Sequence, residues 1–280
     1  MLVDQIKSEH SMSTGRACRI IGFARSQYYY RHSKDDSALM TLIGQQAESH
    51  PAYGFRKLFA SLRLKGYNHN HKKVYRIYRK LGLNKKRKAR RRLPERVKQP
   101  LEQQQQLNEI WSMDFMSDSL VCGRRFRTLN VIDDCNREVL AIVADSSISS
   151  QYVTRTLTQI IWRRGKPNAI RVDNGPEFTS KHFQEWCDSQ GITIRYTQPG
   201  KPMQNGYIER FNGTYRKEVL NAYLFYELYD VREITQKWMN EYNTVRPHES
   251  LENKPPIEWP NGVGCKDVLH SANAQAQLRV

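Results

Sequence analysis

The sequence predicts two unlike parts: a small all-α domain of helix-turn-helix type, followed by an α/β domain built on a mixed sheet. Three observations carry this. Apolar residues recur at helical spacing before residue 84, whereas after residue 107 they fall into short runs of strand length. The later runs come first as three strands in succession and then alternate with helices, which is the pattern of a layered sheet-and-helix domain. Charge divides the chain at the same place: residues 1–100 hold 24 Lys and Arg against 6 Asp and Glu, and residues 101–280 hold 21 against 22.

The 280 residues suffice for one moderate domain and one smaller one. A hydrophobic content of 39% suits a soluble globular chain. No apolar run reaches membrane-spanning length and no amino-terminal segment reads as a secretory signal, so a cytoplasmic protein is expected. Five single cysteines, Cys18, Cys122, Cys135, Cys187 and Cys265, form no C-x-x-C pair and read as reduced thiols. His69 and His71 lack a cysteine pair to complete a zinc site and read as solvated loop residues.

Residues 1–34 form an N-terminal segment, with a short helix-turn-helix piece expected in RACRIIGFARSQYYYR at 16–31. Residues 35–84 are the DNA-binding domain. A helix through Leu39 and Ile43 leads to a second carrying Phe55, Leu58, Phe59 and Leu62, stopped by Gly66. A third starts from Asn70 as N-cap and turns Val74, Ile77, Tyr78 and Leu81 inward. Lys72, Lys73, Arg76, Arg79 and Lys80 share its solvent face, suited to phosphate contact. In KKRKARRR, Lys85, Lys86, Arg87, Lys88, Arg90, Arg91 and Arg92 give seven basic residues in eight with nothing to bury. That run opens a linker, 85–106, that orders on a phosphate backbone; nuclear targeting is the other common reading.

Residues 107–222 are read as the catalytic core. IWSMDFM, RFRTLNVIDD and REVLAIVAD are three strands joined by turns at Cys122-Gly123 and Asn136-Arg137. A helix over 149–164, a strand in NAIRVD, a helix in KHFQEWCDSQG and a strand in ITIRYT follow. That order, β-β-β-α-β-α-β, is the order of the ribonuclease H fold. Residues 223–262 are a helical extension and 263–280 a disordered tail.

Within this order three acids stand out. Asp114 lies inside the first strand between Met113 and Phe115, where a carboxylate is unfavourable without a partner. Asp173 ends the fourth strand, parallel to the first and beside it, and Glu209 sits in a helical segment with Ile208 and Phe211. Three clustered carboxylates repel and rise in pKa unless cations hold them ionised, and divalent metal, which prefers oxygen ligands, resolves this. In RVDNGPEF the Asn-Gly-Pro that follows Asp173 also supports a plain turn role.

Between Asp114 and Asp173 lie 58 residues, and between Asp173 and Glu209 lie 35. The second spacing resembles the Asp-Asp-Glu signature of retroviral integrases and many transposases. WSMDF, RFRTLNVIDD, DNGPEF, PGKPMQNGYIERFNGTYR and YNTVRPHESL together resemble the second-frame (OrfB) transposase of the bacterial insertion sequence three family, over roughly residues 35–260. The resemblance implies a DNA transposase in which Asp114, Asp173 and Glu209 are catalytic and hold two Mg²⁺, with Mn²⁺ able to substitute. Water would nick double-stranded DNA at the element ends, and the freed 3′-hydroxyl would then attack target DNA. It also implies that Lys201, in the PGKPMQ loop, and Arg216, two helical turns past Glu209, touch DNA. The implied partner is the upstream-frame OrfA product, reached as a frameshift fusion, with a multimer assembling on DNA.

Several neighbours have plainer readings. Asn174 and Gly175 shape the Asp173 loop, Glu177 caps the following helix rather than serving as a fourth acid, and Asp133 and Asp134 belong to a turn. The sequence assigns no physical role to Arg246 and His248. Two other functions stand beside transposition: a ribonuclease H-like nuclease or resolvase, and an inactive DNA-binding regulator.

Overall fold

The structure, a computed structural model, describes residues 2–30, 35–84, 104–198 and 205–259. The basic run 85–92, Lys201 and residues 260–280 lie outside the described residues.

At the amino end, α1 (Leu2–His10), α2 (Thr14–Ile21) and α3 (Arg25–Tyr29) close around Val3, Ala17 and Cys18. The sequence reading found only a helix pair here. It missed α1, which adds the buried Val3 and the partly buried Ile6 to this small core. Helices α4 (Ser37–Ser49), α5 (Phe55–Leu64) and α6 (His71–Lys80) form the expected three-helix unit around Leu39, Ile43, Leu58, Leu62, Val74, Ile77 and Tyr78. Asn70 caps α6 by accepting from the Lys72 amide at 2.8 Å, and Gly66 stops the chain after α5 with φ +87°. His71 is the first residue of α6 rather than a loop residue, and its ring packs against Phe55 and Phe59.

The larger part is a five-stranded sheet of order β3-β2-β1-β4-β5. Strands β1 (Ile110–Ser119), β2 (Arg125–Asp133) and β3 (Val139–Asp145) are an antiparallel meander. Strands β4 (Ala169–Val172) and β5 (Thr193–Tyr196) add to it in parallel with β1. This is the ribonuclease H-like arrangement, a mixed sheet covered by helices on both faces. Helices α7 (Ser150–Arg164), α8 (Pro176–Thr179) and α9 (Lys181–Gln190) cover one face. Helix α10 (Gly206–Tyr215), a π turn at Arg216–Leu220 and α11 (Leu228–Thr244) cover the other.

Alternation along β1 decides which face each side chain joins. Trp111 and Met113 enter the core under α7 and α9, while Met116 enters the core under α10 and α11. Asp114 has the parity of Met116 and therefore faces α10.

Candidate active site and nucleic-acid interface

Strand register brings the first two acids together. Ser112 of β1 pairs with Arg171 of β4 in parallel, so the same register, carried on by two residues, sets Asp114 beside Asp173. The strands separate there, since β4 ends at Val172. Asp173 lies in the turn that follows, and its Oδ1 accepts from the Gly175 amide at 3.0 Å. A Cβ at residue 175 would come within 3.0 Å of that same oxygen, so glycine lets the loop fold back on the carboxylate. Asn174 ties the loop to the end of β5 by donating to the Thr197 carbonyl at 3.1 Å. Asp173 therefore serves the turn while remaining exposed at the carboxyl end of β4.

Glu209 lies in the first turn of α10, a position favourable to a carboxylate at the positive end of a helix. Ile208, Phe211 and Tyr215 anchor the helix in the core, and Glu209 is left exposed. Burial pushes the Asp114 carboxyl up to about 6, and the charges of Asp173 and Glu209 add to the rise, while hydrogen bonds from the Phe115 amide and Asn212 oppose it. Asp173 and Glu209 thus both stand within electrostatic reach of Asp114. As they stand, no three His, Cys, Asp or Glu side chains among the described residues are grouped closely enough to hold a metal ion. Their oxygen chemistry suits a hard divalent cation, and the half-buried, uncompensated Asp114 is the group such a cation would relieve.

Two residues escaped the sequence reading. Asn212, one turn after Glu209, donates to Asp114 Oδ2 at 2.7 Å and accepts from Asn130 at 2.7 Å. Asn130 lies directly across from Asp114 in the β1–β2 pairing. Asparagine inside a strand and inside a helix is disfavoured locally, and that mismatch was the available signal.

Glu177 corrects an expectation. It does lie in the first turn of α8, where an acid suits the helix dipole, but it makes no cap bond and is ion-paired to Arg127, whose guanidinium stacks 4.2 Å from the Phe115 ring. Asp133 behaves as a turn residue, accepting from the Cys135 amide at 2.8 Å. Asp134 does not. Its carboxylate is wholly buried against Arg171 at 2.5 Å, and burial raises it to about 6 despite that partner.

The basic helix is divided as well. On α6, Lys72, Arg79 and Lys80 are exposed, but Lys73 and Arg76 turn to Asp36 and form ion pairs with it. Arg216 stands where α10 gives way to the π turn, 3.3 Å from Asp118 and donating to the Ser117 carbonyl at 3.0 Å. Arg246 is 4% exposed, with Nη2 2.5 Å from Glu218 and its guanidinium against the rings of Tyr242 and Tyr53. It therefore joins the segment after α11 to the loop between α4 and α5, the role the sequence did not supply.

Comparison with known proteins agrees with this architecture. Residues 104–202 and 190–256 each match an integrase core domain, and residues 34–92 match an HTH-like domain. The insertion element IS407 uncharacterized 31.7 kDa protein of Burkholderia multivorans is 38% identical over 91% of this chain and 92% of its own length. The insertion element IS476 uncharacterized 39.2 kDa protein of Xanthomonas euvesicatoria is 41% identical over 90% of this chain and 73% of its own. The chain belongs to the insertion sequence three family of transposases. This transposase is also similar to a chain of the simian T-cell lymphotropic virus intasome in complex with PP2A regulatory subunit B56 gamma. That likeness has 18% identity and a TM-score of 0.48 over 71% of this chain and 69% of the other. The transposase is a DNA-binding enzyme of the polynucleotidyl transferase class, and no described helix is long and apolar enough to cross a membrane.

Proposed function

We propose that Asp114, Asp173 and Glu209 are the catalytic acids and that they hold a pair of divalent cations, Mg²⁺ or in its place Mn²⁺. The observation that carries this is the Asp114 carboxyl, set in the central strand, raised by burial and by both other acids. When bound, the cations would supply Lewis-acid chemistry for in-line displacement at phosphorus, activating the attacking oxygen and stabilising the leaving one. The chain itself supplies position. Strand register fixes Asp114 against Asp173, the Asn130–Asn212 chain fixes the rotamer of Asp114, and α10 presents Glu209 from the facing layer. Oriented acids of this kind favour nicking at an element end followed by attack of the freed 3′-hydroxyl on target DNA, with no protein nucleophile.

Double-stranded DNA is proposed to run over α6 through Lys72, Arg79 and Lys80, with Lys73 and Arg76 released from Asp36 as phosphates compete for them. Residues 85–92, Lys201 and Arg216 complete the proposed contact surface. The division proposed is a helical domain at 35–84, a linker at 85–106, a core at 107–222 and an extension at 223–262. The protein is proposed to work in the bacterial cytoplasm as a multimer fused to the upstream-frame product.

Single changes Asp114→Asn, Asp173→Asn and Glu209→Gln test the assignment. Each is expected to abolish nicking and joining while DNA affinity stays within a few-fold, because affinity resides mainly in basic residues. Substantial joining by Asp173→Asn in the presence of Mg²⁺ overturns the triad.

A further inference from the structure

A cavity of about 410 Å³ opens on the opposite flank of α10 from Asp114, where the helical unit meets the core. Lys57 reaches it from α5, Arg137 from the β2–β3 turn, Arg210 from α10, and Arg246 and His248 from the segment after α11. Its acid, Glu249, is engaged by Arg56 at 3.3 Å, and Arg246 is matched by Glu218. Lys57, Arg137 and Arg210 bring three further basic side chains to the lining.

Two polar atoms of the lining are left over. Arg137 Nη1 and His248 Nε2 are both shielded from solvent and have no hydrogen-bond partner. Arg137 is held in place, with φ at 63° and its guanidinium 3.3 Å from the Tyr207 ring. His248 is 9% exposed, edge-on to Tyr242 at 4.6 Å. Arg137 Nη1 is thus an unsatisfied donor, and His248 Nε2, whose ring gives its N–H to the Tyr242 backbone, becomes a second one on protonation. With basic side chains from separate elements they form a cradle for a multi-oxygen anion.

We propose that this cavity binds a phosphate group of the DNA strand, at a site separate from the three acids. Arg210 follows Glu209 directly on α10 and so points about 100° round the helix from it. A strand with one phosphate in the cavity would pass from there toward the acids along the same helix. Lys57 belongs to the helical unit, so the bound phosphate is shared between that unit and the core. Burial, with Arg246 and Lys57 nearby, holds His248 down at about 3, and an anion beside the ring would relieve that and draw in a proton.

The choice of DNA as the source rests on the transposase reading, whereas the anion site does not, and the test separates them. The full chain is melted with increasing pyrophosphate in excess chelator, so that the acids attract no phosphate through metal. The wild type and Glu209→Gln are expected to gain several degrees, saturably, and Lys57→Gln/Arg210→Gln to gain under about one degree. An equal gain in the double variant overturns the site. Arg210→Glu, at an exposed position, repeats the test if the double variant fails to fold. In DNA binding, the double variant is expected to lose about 0.9 to 1.8 from the slope of log affinity against log salt, one to two phosphates' worth. Lost pyrophosphate response with an unchanged DNA slope assigns the cavity to a free phosphate and overturns the strand. Loss of joining in Glu209→Gln with a normal pyrophosphate response bears on the acids alone.

Discussion

Asn212 Nδ2 lies 2.7 Å from Asp114 Oδ2, a hydrogen bond between α10 and β1 that spans 98 residues of sequence. Asn130, opposite Asp114 in the sheet, holds the other end of the Asn212 amide. Groups that orient a metal-holding side chain through one intervening bond commonly contribute 10–100-fold. Asn212→Ala is expected to lower joining by about that factor and to raise the Mg²⁺ concentration needed for half-maximal rate, with the fold retained. Unchanged Mg²⁺ dependence would remove Asn212 from the positioning role.

Asp114 gives a pH signature in the metal-free protein. Its folded value is raised to about 6 from 3.8, so the folded state holds the proton more tightly and stability falls as pH rises from about 4 to 6. Above pH 6 the cost is complete. Asp114→Asn is expected to stabilise the metal-free protein there, on the order of 3 kcal/mol, and to make no difference below pH 4. Urea titrations at pH 4 and pH 7.5 check this.

The Arg171–Asp134 pair joins β4 to the turn after β2 in a dry setting, with side chains 12% and 0% exposed. Removing one partner strands a buried charge. Arg171→Met is expected to cost about 3–5 kcal/mol, and adding Asp134→Asn to recover much of it. A double-mutant cycle in urea gives the coupling.

His248 acts in the opposite sense to Asp114. Its folded value, near 3, lies below 6.5, so its contribution is present above pH 6.5 and lost as pH falls toward 3. The charges facing it are Arg246, Lys57 and Arg137, and the Tyr242 backbone accepts from its ring. His248→Gln is expected to flatten the acid limb of the melting curve between pH 6.5 and 4. An acid limb as steep as that of the wild type would show that other groups carry it.

Much of this fold was legible because it is local. Amphipathic spacing marked α4 to α6, and Asn70 and Gly66 marked ends that the structure realises as a side-chain cap and a positive φ. Turn residues at Gly123 and Arg137, both with positive φ, placed the meander. Helix α1 was missed because its inward residues, the buried Val3 and the partly buried Ile6, become a core only once α2 lies against them.

The sequence by itself determined the strand order of the larger domain, the charge division, and the intervals between three acids. Each follows from residue type and interval along the chain. Tertiary structure alone decided which side chains are spoken for. It gave Glu177 to Arg127, Lys73 and Arg76 to Asp36, Asp134 to Arg171 and Arg246 to Glu218. It also placed Asn212 between Asp114 and Asn130. The reason is physical: a charge or amide finds its partner across packed layers, at separations that no local period records, and burial rather than composition sets what each pairing is worth.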